Sequence, residues 1–206
     1  MCQSTQPNPQ RCTWCGDDPL YRAYHDTEWG VPEYDGRALW EKLILDGFQA
    51  GLSWITILKK RDNFRAAFGG FDPATIARWG APEVDQLLGN AGIIRHRGKI
   101  EATIGNAQAF LDLGGSQAFS DMIWSYVDGE PLVGGYATQA EVPTSSALSQ
   151  TISKDLKGVG FKFCGPTIVY AWLEACGVFN NHLVTCHRFG QVATEVPPAS
   201  PGWERP

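Results

Sequence analysis

Apolar residues recur along this chain at the spacing of amphipathic helices. Leu39, Leu43 and Ile44 fall on one helical face behind Asp35, so Asp35 is predicted to cap a helix that continues to Gly47. A strand would need polar and apolar positions to alternate, and no such alternation persists along the sequence. The pattern therefore predicts an all-α chain.

Boundary residues predict the remaining helices, because particular side chains favour the first and last positions of a helix. The predicted segments are Ser53 to Leu58, one that begins at Asp72–Pro73, Ala81 to Gly89, Lys99 to Leu113, Phe119 to Val127, Thr144 or Ser145 to Lys157, and Pro166 to Cys176. Residues 11–188 are expected to form a single compact unit, with two helical lobes as an allowed subdivision. Residues 1–10 and 192–206 are rich in polar residues and proline, and we expect them to be disordered.

The composition is that of an ordinary globular protein of 206 residues, with 43% hydrophobic residues. No apolar run approaches the roughly 18 residues of a membrane span, and the first ten residues lack the features of a signal peptide. We therefore expect a cytoplasmic protein without a membrane partner. In that compartment its six cysteines would be reduced thiols or metal ligands.

The formal net charge of -5 argues against a nucleic-acid partner, but the positive charges are clustered. Each cluster is either the solvated end of a helix or part of a surface that contacts phosphates. The clusters are Lys59, Lys60, Arg61 and Arg65; Arg95, His96, Arg97 and Lys99; and Lys154, Lys157 and Lys162.

The segment GVGFKFCGPTIVYAW, from Gly158 to Trp172, predicts a tight hairpin between two helices. Gly160 and Gly165 lie in this turn, and Pro166 begins the second helix. Such a turn directs backbone N–H groups and a helix N-terminus at one point, which suits a phosphate. A plain connection between antiparallel helices remains the alternative.

Metal ligands occur near both ends of the chain. His182 and Cys186 are separated by three residues and would share one face of a helix. Cys12, Cys15 and His25 are candidates near the N-terminus, as is His187 near the other end. Spacing does not choose among these residues, and ordinary buried cysteines would explain the same pattern.

A third group of residues combines aromatic rings with one acid. From the residues alone, the favoured interpretation is that the rings belong to the core and that the acid faces solvent. The alternative is a pocket in which an acid beside rings binds a cationic ligand. The group consists of Trp14, Tyr21, Tyr24, Trp29, Asp46 and Trp54.

Five sequence blocks in order resemble the DNA-3-methyladenine glycosylase I family, and the resemblance extends from about residue 11 to residue 188. The blocks are DPLYRAYHDTEWGVP (18–32), DGFQAGLSWITILKKR (46–61), AGIIRHRGKI (91–100), GFKFCGPTI (160–168) and HLVTC (182–186). The resemblance implies the helix-hairpin-helix glycosylase fold, with the turn from Gly160 to Gly165 holding the DNA backbone. It also implies one structural Zn2+ that joins the N- and C-terminal segments.

The resemblance also assigns roles to particular residues. It implies a base pocket in which Tyr24, Asp46 and Trp54 act on the base, and Trp14, Tyr21 and Trp29 form walls. This family usually has glutamate at the position of Asp46 and commonly aspartate at that of Asn181. The shorter acid puts affinity in doubt, and the amide would change the surroundings of the adjacent zinc ligand. The implied zinc ligands are Cys12, His25, His182 and Cys186.

The implied activity is excision of N3-methyladenine from alkylated double-stranded DNA by a monofunctional, monomeric enzyme. The absence of any carboxylate from Ala175 to Thr194 fits this expectation, because a cationic base leaves readily without a catalytic acid. No lysine occurs at a position where it would be expected to support lyase chemistry. The rival interpretations are a non-catalytic, zinc-stabilised binder of alkylated DNA and a zinc hydrolase with an open metal position.

Overall fold

The computed structural model describes residues 9–192, and helices dominate this range. Between residues 9 and 192 there are eleven α-helices and two strands of two residues each. The helices are α1 (Pro19–Thr27), α2 (Gly36–Gln49), α3 (Trp54–Leu58), α4 (Arg61–Ala67), α5 (Pro73–Ile76), α6 (Ala81–Gly89), α7 (Arg97–Asp112), α8 (Gly115–Ser125), α9 (Ala147–Gly158), α10 (Pro166–Ala175) and α11 (Phe189–Val192). The strands are β1 (Leu132–Val133) and β2 (Phe179–Asn180).

Aspartates begin three of these helices. The side chains of Asp35 and Asp72 accept hydrogen bonds from backbone N–H groups of the first turns of α2 and α5, as the sequence predicted. Asp18 caps α1 in the same way and is followed by Pro19. Helix α1 was not predicted, although Asp18–Pro19 repeats the signal that identified α5.

Some predicted boundaries were wrong. The cap of α9 is Ser146 rather than Thr144 or Ser145, because the Ser146 hydroxyl is the one that accepts the backbone N–H of Ser149, at 3.1 Å. The expectation of no strands was also wrong, since β1 and β2 pair in parallel and join Leu132 to Phe179. Strands of two residues are too short to produce an alternating pattern, so the sequence could not reveal them.

Helix α2 runs through the core and packs against α8 and α10. The indole N–H of Trp172 in α10 donates to the Leu39 carbonyl of α2 at 3.0 Å. The C-terminal end of α2 is held by Lys99, whose ammonium group donates to the carbonyls of Phe48 and Ala50 at 2.9 and 2.8 Å. These contacts fix α2 against the helices on either side.

The expected disordered tails lie outside the described residues, apart from residues 9, 10 and 192. Val192 was assigned to a tail, but it is buried at the end of α11. No helix in the described part of the chain combines the length and the apolar character that a membrane span requires. The five cysteines within this part are free thiols.

Candidate functional site

A cavity of about 280 Å³ lies between α1, α2, α3 and α10. It brings together all six aromatic and acidic residues that the sequence singled out. The lining residues are Trp14, Tyr21, Tyr24, Trp29, Lys42, Asp46, Gln49, Trp54, Gln139, Val142, Pro143, Thr144, Thr167, Tyr170, Ala171, Glu174 and Ala175. The aromatic rings are thus walls of a pocket as well as members of the core.

Helical spacing explains how two helices supply the polar lining. On α2, Lys42 and Asp46 are one turn apart, so their side chains lie on the same side of the helix and both reach the cavity. On α10, Thr167, Ala171 and Glu174 repeat at the same spacing. Both helices therefore contribute residues to the core and to the cavity.

The aromatic wall is made of rings that contact one another. Trp14 lies with its centroid 4.9 Å from Tyr21 and 5.0 Å from Trp29, and Tyr24 lies 5.6 Å from Trp54. The indole N–H groups of Trp14 and Trp54 are buried and have no hydrogen-bond partner among the described residues. Two unpaired donors beside a cavity favour a ligand that carries acceptors.

Asp46 is buried, with 2% of its surface exposed, so the interpretation that it faces solvent was wrong. Its carboxylate accepts two hydrogen bonds from the Lys42 ammonium group, at 2.8 and 3.0 Å. Burial raises the pKa of the Asp46 carboxyl above its usual value, and Lys42 opposes that rise. Periodicity could not identify this burial, because a helix packed on two sides buries polar positions too.

Lys42 itself is an unexpected member of the pocket. The sequence interpretation placed no lysine there, whereas the Lys42 ammonium lies 3.7 Å from the centroid of the Trp54 ring. An aromatic face and a carboxylate in this cavity therefore already bind one cation, which belongs to the protein itself.

Tyr24 lines the pocket next to Trp54 and is 3% exposed. Burial, with the nearby negative charge of Asp46, raises the pKa of its phenol well above the usual value. The hydroxyl is therefore a neutral hydrogen-bond donor across the physiological pH range.

Glu174 is a pocket residue that the sequence interpretation missed. That interpretation noted the absence of carboxylates from Ala175 to Thr194, and Glu174 is the residue just before this stretch. Its Oε1 atom accepts a hydrogen bond from the Asn181 amide at 2.8 Å. Burial raises the pKa of Glu174 to about 7, and the bond from Asn181 opposes this rise. Glu174 lies two helical turns after Thr167 on α10, and this spacing could have indicated that both side chains lie on one side of the helix.

A second cluster joins the two ends of the described chain. One donor atom from each of four buried residues lies within 4.8 Å of the others, and the cluster could hold a metal ion. The Sγ atom of Cys186 lies 3.5 Å from Nε2 of His25 and from Nδ1 of His182, and the Sγ atom of Cys12 lies 3.6 Å from the same His182 nitrogen. The four residues, Cys12, His25, His182 and Cys186, are those that the resemblance implied.

The outer nitrogens of both histidines in this cluster are also held. Nδ1 of His25 lies 2.8 Å from the carboxylate of Asp26, which Arg11 binds through two nitrogens at 2.7 and 2.9 Å. Nε2 of His182 lies 3.0 Å from the carbonyl oxygen of Trp29. Such contacts fix which ring nitrogen faces the centre of the cluster.

The other candidate ligands lie outside the cluster. The Cys15 thiol donates to the Cys12 carbonyl at 3.1 Å, and His187 contacts the carbonyl of Gln10. The segment from His182 to Cys186 is a turn rather than a helix, but it still brings both side chains to one centre. The Asn181 amide contacts Tyr170 and Glu174 and forms no hydrogen bond to any of the four cluster residues.

The hairpin between α9 and α10 has the expected position. Gly160 has a φ of +105°, which favours glycine. Apart from the adjoining chain, no atom of residues 9–192 lies within 4 Å of the point where a Gly165 side chain would begin. Asn106 of α7 braces the turn, since its side chain accepts the Lys162 N–H at 2.8 Å and donates to the Lys162 carbonyl at 3.1 Å. The turn is thus rigid on its inner side and open at Gly165.

The three basic clusters have different environments. In the first, Lys59 pairs with Asp18, Arg61 with Glu28 and Arg65 with Glu41. In the second, Arg97 pairs with Asp85, and Lys99 is buried beneath α2. In the third, no ion pair within residues 9–192 involves Lys154, Lys157 or Lys162. Lys154 and Lys157 lie in α9, which leads into the hairpin, and Lys162 lies in the turn itself.

Comparison with known proteins identifies the family. Residues 14–189 match the family model for methyladenine glycosylase. DNA-3-methyladenine glycosylase 1 of Escherichia coli (strain K12) is 52% identical over 178 residues, which are 86% of this chain and 95% of the relative. A crystal structure of 3-methyladenine DNA glycosylase I is 53% identical, with a TM-score of 0.84 over 86% of this chain and 98% of that one.

Two further solved structures are each 39% identical to this chain and superpose with TM-scores of 0.82. One is a tyrosine-to-phenylalanine variant of 3-methyladenine DNA glycosylase I in complex with 3-methyladenine, and 91% of this chain and 98% of that one are covered. The other is a glutamate-to-glutamine mutant from Staphylococcus aureus, with 92% and 99% covered. On these matches, this chain belongs to the methyladenine glycosylase family.

Proposed function

We propose that this protein excises N3-methyladenine from alkylated DNA by hydrolysing the N-glycosyl bond, as the first step of base excision repair. The observation that carries the proposal is the aromatic cavity with the buried carboxylate of Asp46, found in a chain 52% identical to a DNA-3-methyladenine glycosylase. A cavity of about 280 Å³ has room for one purine base that has been rotated out of the helix.

Alkylation at N3 gives adenine a positive charge, which weakens its bond to the sugar and allows it to leave as a neutral base. The pocket then needs to bind the cation and align it rather than protonate it. In our proposal Trp54 stacks on the base, Asp46 bonds to its edge, and the Tyr24 hydroxyl donates a hydrogen bond to it. Trp14, Tyr21 and Trp29 complete the walls, where cation–π attraction contributes about 0.5–2 kcal/mol per good contact.

The solved relatives support the roles of Tyr24 and Asp46. One relative has a substituted tyrosine and the other a substituted glutamate. The residue numbers of these two positions differ by as much as those of Tyr24 and Asp46. A glutamate would reach one methylene further than Asp46. A bridging water or a small shift of α2 would make up the difference.

We further propose that the hairpin holds the backbone of double-stranded DNA in the manner of the helix-hairpin-helix superfamily. Backbone N–H groups near Gly160 and Gly165 would contact phosphates. Three lysines that form no ion pair within residues 9–192 lie nearby in the sequence. This arrangement explains how a chain with a net charge of -5 would bind a polyanion. Since one chain supplies the pocket and the hairpin, we propose that a monomer is sufficient.

For the Cys/His cluster we propose one structural zinc ion. In a tetrahedral site with zinc–sulfur and zinc–nitrogen distances of about 2.3 and 2.0 Å, a sulfur and a nitrogen ligand lie about 3.5 Å apart. The sulfur–nitrogen distances of 3.5 and 3.6 Å match that geometry. Four protein ligands leave no open position for water, which argues against the zinc-hydrolase alternative. The ion would stabilise the junction of the two chain ends.

The test is the release of free bases from methylated duplex DNA, separated by chromatography. Wild type should release N3-methyladenine and leave N7-methylguanine in place. Asp46→Asn should release N3-methyladenine at least about a hundredfold more slowly. A loss of this size is typical when an enzyme loses one preorganised charge-assisted contact to the reacting group. Asp46→Glu, which restores the usual side chain of the family, should remain active.

The alternative functions predict different results in the same assay. A non-catalytic binder would retain methylated DNA without releasing any base, and this outcome would contradict the proposal. Borohydride should trap no covalent DNA complex with wild type, because the Lys42 ammonium is held by Asp46 and the enzyme is proposed to be monofunctional. A complex that is lost in Lys42→Met would instead establish lyase chemistry.

A further inference from the structure

We propose that Glu174 is a second carboxylate that recognises the base. In this proposal Glu174 gives the pocket its net negative charge, because Lys42 neutralises the charge of Asp46. The inference rests on the proposed function and deepens it, because it explains how the pocket would select a cationic base. Two observations carry the inference: the pairing of Asp46 with Lys42, and the position of Glu174 in the same cavity.

The first observation concerns the charge of the pocket. The Lys42 ammonium bonds to both oxygens of Asp46 and covers one face of Trp54. Asp46 and Lys42 together therefore have no net charge. A cationic base gains little electrostatic attraction from a neutral ion pair, and undamaged adenine loses little binding free energy by lacking the charge. Selection of the cation by charge requires another anionic group in the cavity.

The second observation concerns the orientation of Glu174. Asn181 donates from one amide nitrogen to Oε1 of Glu174 at 2.8 Å and to the Tyr170 hydroxyl at 2.9 Å. Among residues 9–192, no lysine, arginine or histidine forms an ion pair with Glu174. Its carboxylate is thus held at one oxygen and retains acceptor capacity for a ligand. The amino group of an alkylated adenine is a donor of matching chemistry.

The protonation of Glu174 would respond to the ligand. Burial places its pKa at about 7, and the charge of Asp46 acts in the same direction. A cation in the cavity lowers the pKa of a neighbouring carboxyl, so Glu174 would be ionised when the damaged base is bound. A neutral base exerts no such effect. The titratable and charged groups facing this carboxyl are Lys42 and Asp46 on α2, Tyr24 on α1, Tyr170 on α10, and Tyr136 beside Tyr170.

Binding of two small bases tests the proposal directly. The first probe is 3,9-dimethyladeninium, which carries the charge of the alkylated nucleotide, and the second is neutral adenine. Quenching of tryptophan fluorescence reports binding because Trp14, Trp29 and Trp54 line the cavity. Glu174→Gln should weaken binding of the cation about tenfold at pH 8 and leave adenine binding unchanged.

The pH dependence separates a charge effect from a structural one. Wild type should bind the cation more tightly as the pH rises from 6 to 8, because Glu174 ionises over that range. Glu174→Gln should lose this dependence, and Glu174→Asp should keep it, because aspartate retains a titratable carboxylate. Glu130→Gln, which changes an exposed glutamate outside the cavity, is the matched control and should behave as wild type does.

Two outcomes would overturn the inference. One is equal weakening of both probes in Glu174→Gln, which indicates a role in folding of the pocket. The other is an unchanged preference for the cation in a variant that folds as wild type does. If wild type released no base from methylated DNA, the proposed function would fail, and the two binding titrations would still decide whether Glu174 selects a cation.

Discussion

The ammonium group of Lys42 lies 2.8 Å from the carboxylate of Asp46, one helical turn further along the same helix. The Asp46 side chain is 3% exposed and that of Lys42 is 15% exposed, so this is an ion pair at the wall of a cavity rather than a surface contact. Such pairs cost desolvation free energy, and their loss leaves one charge buried without a partner.

Removal of Lys42 should therefore destabilise the protein in a pH-dependent way. In Lys42→Met, the folded-state pKa of Asp46 should rise further above its unfolded value, because burial is no longer opposed. A raised carboxyl pKa means that stability is greatest below the unfolded pKa and is lost as the pH rises through the folded pKa. Urea denaturation should show a loss of about 3 kcal/mol at pH 8 and a smaller loss at pH 5.

The double variant Lys42→Met/Asp46→Asn is the control for this prediction. Without either charge, most of the stability at pH 8 should return, and the difference between pH 5 and pH 8 should diminish. Equal losses at both pH values in the single variant would show that packing of the lysine chain, rather than its charge, stabilises α2.

The sequence predicted helices where boundary residues act locally. Asp35 and Asp72 cap helices through their own side chains, and such contacts follow from neighbouring positions alone. The burial of Asp46 depends instead on α10, which is more than a hundred residues away in the sequence. Periodicity along one helix does not record which of its polar positions another helix will cover.

The metal ligands and the pocket were only partly predictable from the sequence, because both depend on contacts between segments that are distant along the chain. Spacing within the chain left Cys15 and His187 as candidates, and the choice of Cys12, His25, His182 and Cys186 needed the resemblance to a family. Glu174 enters the cavity only because α10 packs beside α2. Its partner Asn181 was expected to affect the metal ligand and contacts Glu174 instead.

Loss of one cluster ligand should release the metal and destabilise the fold. Cys12→Ser should lower the zinc content from about one ion per chain and reduce stability by at least about 3 kcal/mol, because structural zinc sites contribute strongly to folding. Metal analysis after dialysis, followed by thermal unfolding, measures both quantities.

Cys15→Ser is the matched control, since it changes a buried cysteine that contacts the Cys12 carbonyl but lies outside the cluster. It should keep the ion. Equal zinc content in both variants and wild type would contradict the proposed ligand set.

At the hairpin, Gly165→Ala should weaken DNA binding without unfolding the protein. Beyond the adjoining chain, nothing in the described part of the protein lies within 4 Å of the position of a Gly165 side chain, so alanine meets no obstacle there. A methyl group there would obstruct a phosphate that approaches the backbone, and we expect about a tenfold higher Kd for duplex DNA. Fluorescence anisotropy at fixed salt measures this change.

Gly105→Ala serves as the comparison for the hairpin variant. Gly105 lies inside α7 with open space around it, so alanine should raise stability by about 0.5–1 kcal/mol and leave DNA affinity as it is. If Gly165→Ala bound DNA as tightly as Gly105→Ala, the hairpin would not approach the phosphates at this point.

Gly30 should be needed for the metal centre although it contributes no ligand atom. A side chain at Gly30 would begin 2.9 Å from Nε2 of His182 and would displace that ring, and the residue has a φ of +80°. Gly51 has a φ of +83° but nothing within 4 Å, so alanine there creates the same backbone strain without the contact. Gly30→Ala should therefore lose zinc and unfold at a lower temperature than Gly51→Ala, which should retain its zinc. Equal zinc content and equal Tm in the two variants would mean that His182 does not depend on Gly30 for its position.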